Sequence, residues 1–200
     1  MNNDYFKHKA EGYEKNKSRV DNVNNIASAV IRNVTFDKSM HIMDFGSGTG
    51  LLLQKIAPLV KKITAVDISP SMNQQLRDKK DKIDCELDIL EIDLTKVVLD
   101  QKYDGIISSM TMHHVENIDA MFEKMYSMLD ERGFIAIADL EKEDGSFHTE
   151  DTGVFHFGFL RGAISDAAAK AGFKNIELTL ASTIRKPQGN YPVFLLVATK

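Results

Sequence analysis

The chain has 200 residues, 43% hydrophobic and 27% charged, and its formal net charge of −4 is not the strongly basic balance typical of nucleic-acid-binding proteins. Its single cysteine, Cys85, excludes an internal disulfide and a cysteine-cluster metal site. No apolar run approaches the roughly 20 residues that cross a bilayer, and the polar N-terminal stretch is unlike a signal peptide. We therefore expect a single cytoplasmic domain over residues 1–200, monomeric or homodimeric, without a nucleic-acid partner or membrane span.

The N-terminal part combines a polar segment with an amphipathic helix. Within the polar residues 1–19, Phe6, Ala10 and Tyr13 are spaced like one face of a short helix. Between residues 20 and 34, apolar residues recur at i, i+3, i+4 and i+7. This pattern predicts a helix that covers one face of a sheet.

The next segment predicts a strand at 41–45, a glycine loop and a helix at 51–59. Glycines alternate with hydroxyl residues in the loop, which reads Gly46, Ser47, Gly48, Thr49 and Gly50. Such a loop lets the backbone approach a ligand closely, and the helix start presents free N–H groups. The third small residue of the dinucleotide fingerprint would fall on Leu51, and Asp44 would repel a pyrophosphate. The loop therefore suits a ligand that carries a cationic group.

Acidic residues end the next two predicted strands. A strand at 63–66 leads into Asp67, 21 positions after Gly46, where an acid can accept hydrogen bonds from both ribose hydroxyls. Ser69 then predicts the N-cap of a helix, because Pro70 occupies its first position. A strand at 85–92 ends at Asp93. This arrangement supports an adenosine-containing ligand. It does not identify the enzyme class, because nicotinamide-dependent enzymes share this feature with others.

Periodicity in the second half predicts four strands, at 103–109, 134–138, 176–181 and 193–199, and two helices, at 118–129 and 157–171. Asn117 would cap the first helix, and Gly133 would end it. Residues 140–156 are acidic and irregular, and a long loop after a strand is where such folds keep substrate contacts. The last two strands predict a terminal hairpin, which Rossmann dehydrogenases lack.

These features resemble class I S-adenosylmethionine-dependent methyltransferases, whose first motif, (D/E)-x-G-x-G-x-G, is filled by Asp44, Gly46, Gly48 and Gly50. The run Met110–Val115 resembles the family's s-x-x-L-H-H-(L/V) segment after strand four. The start of the chain resembles the F-x-x-x-A-x-x-Y of quinone-biosynthesis C-methyltransferases. The resemblance implies an α/β fold, a Rossmann-like doubly wound seven-stranded sheet, mostly parallel with an antiparallel C-terminal hairpin strand.

The resemblance also implies S-adenosylmethionine as the cofactor and assigns its contacts. Asp44 would lie near the ammonium, Asp67 at the ribose and Asp93 at the adenine amino group. Tyr13 would cover the cofactor as part of a lid formed by residues 1–19. The expected cofactor-binding residues are Tyr13, Asp44, Gly46, Ser47, Gly48, Gly50, Asp67, Ile68, Met72, Asp93, Leu94 and Ser109.

Two of these assignments have alternatives. Phe6 and Tyr13 would serve equally well as an aromatic anchor for the terminus. An alignment slip would give the adenine contact to Asp88 or Glu91 instead of Asp93.

The catalytic residue is left open by the sequence. The candidates for a general base are four histidines, His113, His114, His148 and His156. The pair after strand four has the alternative role of fixing that loop. His148 with Glu150 and Asp151, plus His156, imitates a metal site, but the spacing of these residues matches no defined ligand set, so we expect no metal.

The sequence thus predicts methyl transfer from S-adenosylmethionine to the O, N, C or S atom of a small-molecule acceptor, with S-adenosylhomocysteine as product. Ser108–Thr111 is not the (D/N/S)-P-P-Y segment of adenine-N6 and glutamine methyltransferases. A non-catalytic cofactor-binding protein is one alternative. A nicotinamide-dependent oxidoreductase is another, against which Asp44, Leu51 and the terminal hairpin argue.

Overall fold

The computed structural model describes residues 4–150 and 152–200, and in it the chain builds one seven-stranded sheet in the order β3-β2-β1-β4-β5-β7-β6. The strands are β1 His41–Phe45, β2 Lys62–Asp67, β3 Glu86–Glu91, β4 Tyr103–Ser109, β5 Leu129–Leu140, β6 Lys174–Lys186 and β7 Gly189–Thr199. Neighbouring strands are parallel except that β7 runs antiparallel to β5 and β6. The predicted fold class, with its antiparallel C-terminal hairpin strand, is confirmed.

Helices cover both faces of the sheet. They are α1 Lys17–Asn33, α2 Leu53–Ile56, α3 Pro70–Arg77, α4 Ile118–Met128 and α5 Arg161–Lys170. Ile26 of α1 and Leu76 of α3 are buried in the core on one face, whereas Phe122 of α4 and Ile164 of α5 are buried on the other. Two apolar layers therefore hold the sheet between them. No helix of the described residues combines the length and apolarity needed to cross a membrane.

Helix bounds differ from the predictions where local signals compete. The helix expected over 51–59 is α-helical only to Ile56 and continues as a 3-10 turn, Ala57–Leu59, because Pro58 has no N–H to donate. The prediction that Gly133 ends α4 is wrong, since α4 stops at Met128 and Gly133 lies within β5.

The C-terminal elements also have different limits from those expected. Helix α5 starts at Arg161 and not at 157, because Gly158 has a positive φ of 65° that no helix accepts. Strands β6 and β7 extend toward each other until only Pro187 and Gln188 separate them. The connection expected between them, residues 182–192, is thus mostly strand.

The loop after β5 is fixed to the carboxyl edge of the sheet. At its ends, Phe159 N donates to Leu140 O at 2.9 Å, and Lys142 N donates to Phe159 O at 2.9 Å. Further in, Phe155 N donates to His113 O at 3.0 Å. The backbones meet so closely at Gly158 that a Cβ there would lie 2.1 Å from Glu141 O. The predicted substrate loop is therefore held over β4 and β5.

We predict that Gly158→Ala destabilises the protein by about 1–3 kcal/mol or more, because it adds a backbone clash to a strained φ. Gly162→Ala is the matched control, since a Cβ at this helical position has no neighbour within 4 Å. It should leave stability unchanged or raise it by up to about 1 kcal/mol. Urea unfolding measures both, and equal stabilities would contradict the close approach at Gly158.

Candidate functional site

The strand order reverses between β1 and β4, and a crevice opens there at the carboxyl ends of the strands, where open α/β sheets bind ligands. The glycine loop fills the start of this crevice. Gly46 N and Ser47 N donate to Val66 O of β2 at 2.8 and 3.1 Å. The glycines at 46, 48 and 50 have positive φ angles of 72°, 53° and 87°. Side chains other than hydrogen would be strained at all three positions.

The turn after β4 closes the crevice from the other side. Met110 has an uncommon φ of 59°, and its N–H donates to Ala138 O at 2.8 Å. The chain then brings Thr111 so near the loop that a Cβ on Gly46 would overlap its side chain at 2.1 Å. Gly46 is thus required by this contact as well as by its φ.

A cavity of about 40 Å³ lies between the loop, the end of β4 and the N-terminal part of the chain. Of the predicted cofactor residues, Tyr13, Asp44, Gly46, Ser47, Gly48 and Ser109 line it. Four buried oxygens of its walls have no hydrogen-bond partner among the described residues, namely Asp44 Oδ2, Ser47 Oγ, Thr49 Oγ1 and Ser109 Oγ. Buried polar atoms are normally paired, so these walls suit a ligand rich in polar groups.

Asp44 is the most perturbed of these groups. It is 1% exposed, and burial, reinforced by the negative charge of Asp67, raises its pKa to about 8. The carboxyl is therefore neutral at pH 7 in the ligand-free protein. A cationic group in the cavity would supply the missing countercharge and restore the carboxylate.

Asp67 joins the loop to the start of α3. Its Oδ2 accepts from Gly48 N at 2.7 Å and its Oδ1 from Ser69 N at 2.8 Å. Burial raises the pKa of Asp67 despite these hydrogen bonds. Ser69 caps α3 by accepting a hydrogen bond from Met72 N. Met72 is buried, whereas Ile68 is exposed.

The other predicted cofactor residues lie outside the walls of the small cavity. They are Gly50, Asp67, Ile68, Met72, Asp93 and Leu94. Asp93 accepts from Thr95 N at 3.1 Å and pairs with Lys96 at 2.8 Å; burial raises its pKa, but these contacts outweigh it and the pKa is lowered. The alternatives on β3 are held by ion pairs, Asp88 with Lys62 of β2 and Glu91 with Arg77 of α3.

An N-terminal strap, defined here as residues 4–16, crosses the crevice. Asp4 accepts from Ser69 Oγ at 2.8 Å, and Lys9 pairs with Glu150 of the loop after β5 at 2.7 Å. Tyr13 is held by Arg19, whose guanidinium stacks 3.9 Å from the ring centroid. The strap forms turns and a 3-10 helix, Ala10–Lys15, in place of the expected helix. Residues 1–3 of the predicted lid lie outside the described residues.

Three of the four candidate histidines meet beside the strap. The ring centroids of His113 and His114 are 4.3 Å apart, and those of His113 and His148 are 5.2 Å apart. His113 Nδ1 lies 2.7 Å from Oδ1 of Asp139, the last acid of β5. Asp139 directly follows the strand predicted over 134–138, and no role was predicted for it. Its position at the carboxyl edge of the sheet, which it shares with His113 and His114, was the signal that could have identified it.

The histidines next to this buried pair are held neutral. Burial and then the His113 ring lower the pKa of His114 to about 4. Burial and then His113 and His114 lower the pKa of His148 to about 4. His148 Nδ1 contacts Thr152 Oγ1 at 3.1 Å, and its buried Nε2 has no partner in the described part of the chain.

His156 does not join this cluster. Its Nε2 lies 2.9 Å from Val115 O, to which it donates, and its ring packs on Phe159. Within residues 4–150 and 152–200, no group of three or more His, Cys, Asp or Glu side chains is arranged to hold a metal ion. Asp151, which the sequence placed near His148, lies outside the described residues.

Comparison with known proteins identifies the family. A family model described as a methyltransferase domain matches residues 18–178. An uncharacterized methyltransferase of Schizosaccharomyces pombe is 27% identical over 176 residues, covering 80% of this chain and 61% of that protein. The chain spans between 35% and 61% of the first three curated relatives it matches.

Solved structures share the fold. A putative methyltransferase in complex with the Haloferax volcanii Trm112 activator has a TM-score of 0.80 at 16% identity, covering 100% of this chain and 99% of that one. Magnesium protoporphyrin IX methyltransferase from Synechocystis, solved with bound S-adenosylhomocysteine, has a TM-score of 0.69 at 18% identity, with 92% and 84% covered. With the family model matching most of its length, this chain belongs to the methyltransferase-domain family, among the class I S-adenosylmethionine-dependent methyltransferases.

Proposed function

We propose that the protein transfers the methyl group of S-adenosylmethionine to a small-molecule acceptor and releases S-adenosylhomocysteine. One observation carries the proposal, the cavity beside the glycine loop with its four unpartnered oxygens and its neutral buried Asp44. The amino-acid part of S-adenosylmethionine carries an ammonium, which would serve as the countercharge of Asp44. It also carries polar atoms, which would serve as hydrogen-bond partners of the hydroxyl side chains.

The chain's own residues divide the binding of this donor. Asp44 receives the ammonium, and the unpartnered hydroxyls of Ser47 and Thr49 receive the carboxylate. Asp67, two residues from the N-cap of α3, offers its carboxylate to the ribose hydroxyls. Asp93 and Leu94 lie at the end of β3, in line for the adenine. When bound, the cofactor supplies an electrophilic methyl group on a sulfonium.

The acceptor occupies the part of the crevice over β4 and β5. The loop after β5 and the N-terminal strap cover that part, and Lys9 and Glu150 join them. Such enclosure excludes water and aligns the two reactants, which is much of what methyl transfer requires. A closed compartment of this kind favours a small acceptor over a protein or nucleic acid.

A ligand-binding experiment tests the proposal first. S-adenosylhomocysteine at about 100 times its dissociation constant should stabilise the protein by about 2.7 kcal/mol in thermal unfolding, whereas NADH should not. Asp67→Ala should weaken binding by roughly 10–100-fold, because it removes charge-assisted hydrogen bonds. Asp88→Ala, which breaks the ion pair between Asp88 of β3 and Lys62 of β2, is the control and should bind normally.

Catalysis is tested on the same protein with methyl-labelled S-adenosylmethionine and a deproteinised cell extract. Label transferred to small molecules is the expected outcome. Binding of S-adenosylhomocysteine without any transfer would instead indicate a non-catalytic cofactor-binding protein. Stabilisation by NADH alone would refute both.

The raised pKa of Asp44 predicts proton release on cofactor binding. The folded, ligand-free protein holds the carboxyl neutral below pH 8, and a bound ammonium favours the ionised form. Calorimetry at pH 7 in buffers of different ionisation enthalpy should show release of up to about one proton per S-adenosylhomocysteine bound, fading above pH 8.

Two variants separate Asp44 from the other acids. Asp44→Asn should abolish the proton release and weaken binding. Asp93→Asn should keep the release, because the lowered pKa of Asp93 means that it is already ionised at pH 7. Release that persists in Asp44→Asn would contradict this assignment.

The strap should limit how fast the cofactor enters. The cavity of about 40 Å³ is far below the roughly 300–1,000 Å³ of small-molecule sites, so the strap has to move before binding. The association rate of S-adenosylhomocysteine should therefore reach a plateau with ligand concentration in stopped flow. Asp4→Ala frees the strap from Ser69 and should raise that plateau, while Asp37→Ala, in a remote turn, should not.

A further inference from the structure

Asp139 is a buried anion whose hydrogen bonds are all directed at one histidine and its own strand end. It is 0% exposed, and its Oδ1 accepts from Leu140 N at 2.7 Å and contacts His113 Nδ1 at 2.7 Å. Its Oδ2 accepts from His113 N at 3.2 Å. Burial raises the pKa of Asp139, but His113 and the backbone donors outweigh burial and lower it. The carboxyl is therefore ionised and acts as an acceptor.

This carboxylate determines the tautomer of His113. An ionised carboxylate has no proton to donate, so the short contact requires the proton on Nδ1. In the neutral form of the ring the lone pair would then be on Nε2, and the ring cannot rotate without losing the bond to Asp139. A histidine fixed in this way, with one nitrogen bound to a carboxylate, has the arrangement of a general base.

The neighbouring histidines add no positive charge beside His113. His114 from the same turn and His148 from the loop after β5 both face it, and both are neutral near pH 7. Lys186 of β6 faces His148 but is turned aside, since its Nζ stacks on Phe147 and donates to Phe147 O. Asp139 is thus the nearest full charge to the His113 ring.

Aromatic rings flank the histidine cluster. The Phe6 ring of the strap lies edge-on to His114 at 6.0 Å, and the Phe147 ring lies edge-on to His148 at 4.8 Å. Aromatic rings contact one another well in edge-on and offset arrangements. Contact with this cluster would therefore favour an aromatic acceptor over an aliphatic one.

We propose that Asp139 is a positioning residue that makes His113 the general base, and that the acceptor is an aromatic hydroxyl compound. The inference rests on the proposed function and adds the acceptor class and the base. The hydroxyl oxygen forms the new bond to the methyl carbon as the carbon–sulfur bond breaks, with its electron pair passing to sulfur. The hydroxyl proton goes to Nε2 of His113, and Asp139 stabilises the resulting imidazolium.

A series of ring-substituted phenols tests the base directly. Phenol is protonated at pH 7, whereas nitrophenols with two nitro groups are largely ionised there and need no base. His113→Gln and Asp139→Asn should lower kcat by roughly 10²–10⁴-fold for phenol and by less than tenfold for the nitrophenols. The affinity for S-adenosylhomocysteine should be unchanged. His156→Gln is the control, and any loss it causes should be equal for both acceptors.

A second readout needs no turnover. In ¹⁵N spectra at neutral pH, the His113 ring should carry its proton on Nδ1 in the wild type and lose this preference in Asp139→Asn. A predominant Nε2–H tautomer in the wild type would overturn the proposal even if the variants were inactive.

The kinetic outcomes are equally decisive. Equal losses for phenol and nitrophenols would mean that the pair only maintains the structure, and the base is then refuted while methyl transfer stands. Methylation of extract compounds without methylation of any phenol would refute the acceptor class. No transfer to any small molecule, with S-adenosylhomocysteine still bound, would refute the proposed function itself and the base with it.

Discussion

The site depends on the turn that the backbone makes after β1. Gly46 N and Ser47 N bind a single carbonyl of β2, Val66 O, so the loop bends sharply across the end of the neighbouring strand. The bend requires positive φ angles at the glycines and leaves no room for a side chain beside Thr111. Asp67 is positioned against this turn, because its carboxylate receives the N–H of Gly48.

Three acids lie at this edge, the buried Asp44 and Asp139 and the partly buried Asp67, and they differ in what balances their charge. Asp139 has a histidine and backbone N–H groups, so it is ionised although no water reaches it. Asp67 has backbone donors alone, and Asp44 has an oxygen without any partner in the described chain. An unbalanced buried carboxyl is costly to ionise. In the ligand-free protein, ionising Asp44 therefore costs free energy, and a cationic ligand would lower this cost on binding.

The two halves of the crevice are joined by elements that are distant in sequence. The N-terminal strap contacts the start of α3 through Asp4 and the loop after β5 through Lys9. The same loop is bound to the histidine turn through the carbonyl of His113. Opening of the strap would thus break its contacts with the start of α3 and with the loop after β5 together.

The sequence by itself determined the strands, the glycine loop and the order of the acids along the chain, because each depends on local backbone preference or on periodic burial. It failed where a local signal met a tertiary constraint, as at Gly133 inside β5 and Gly158 before α5. Only the tertiary structure paired Asp139 with His113, across 26 residues, since the parallel register of β4 and β5 brings their ends together. It alone separated His156 from the other histidines, because a side chain's partners depend on strands that meet in space and not on spacing along the chain.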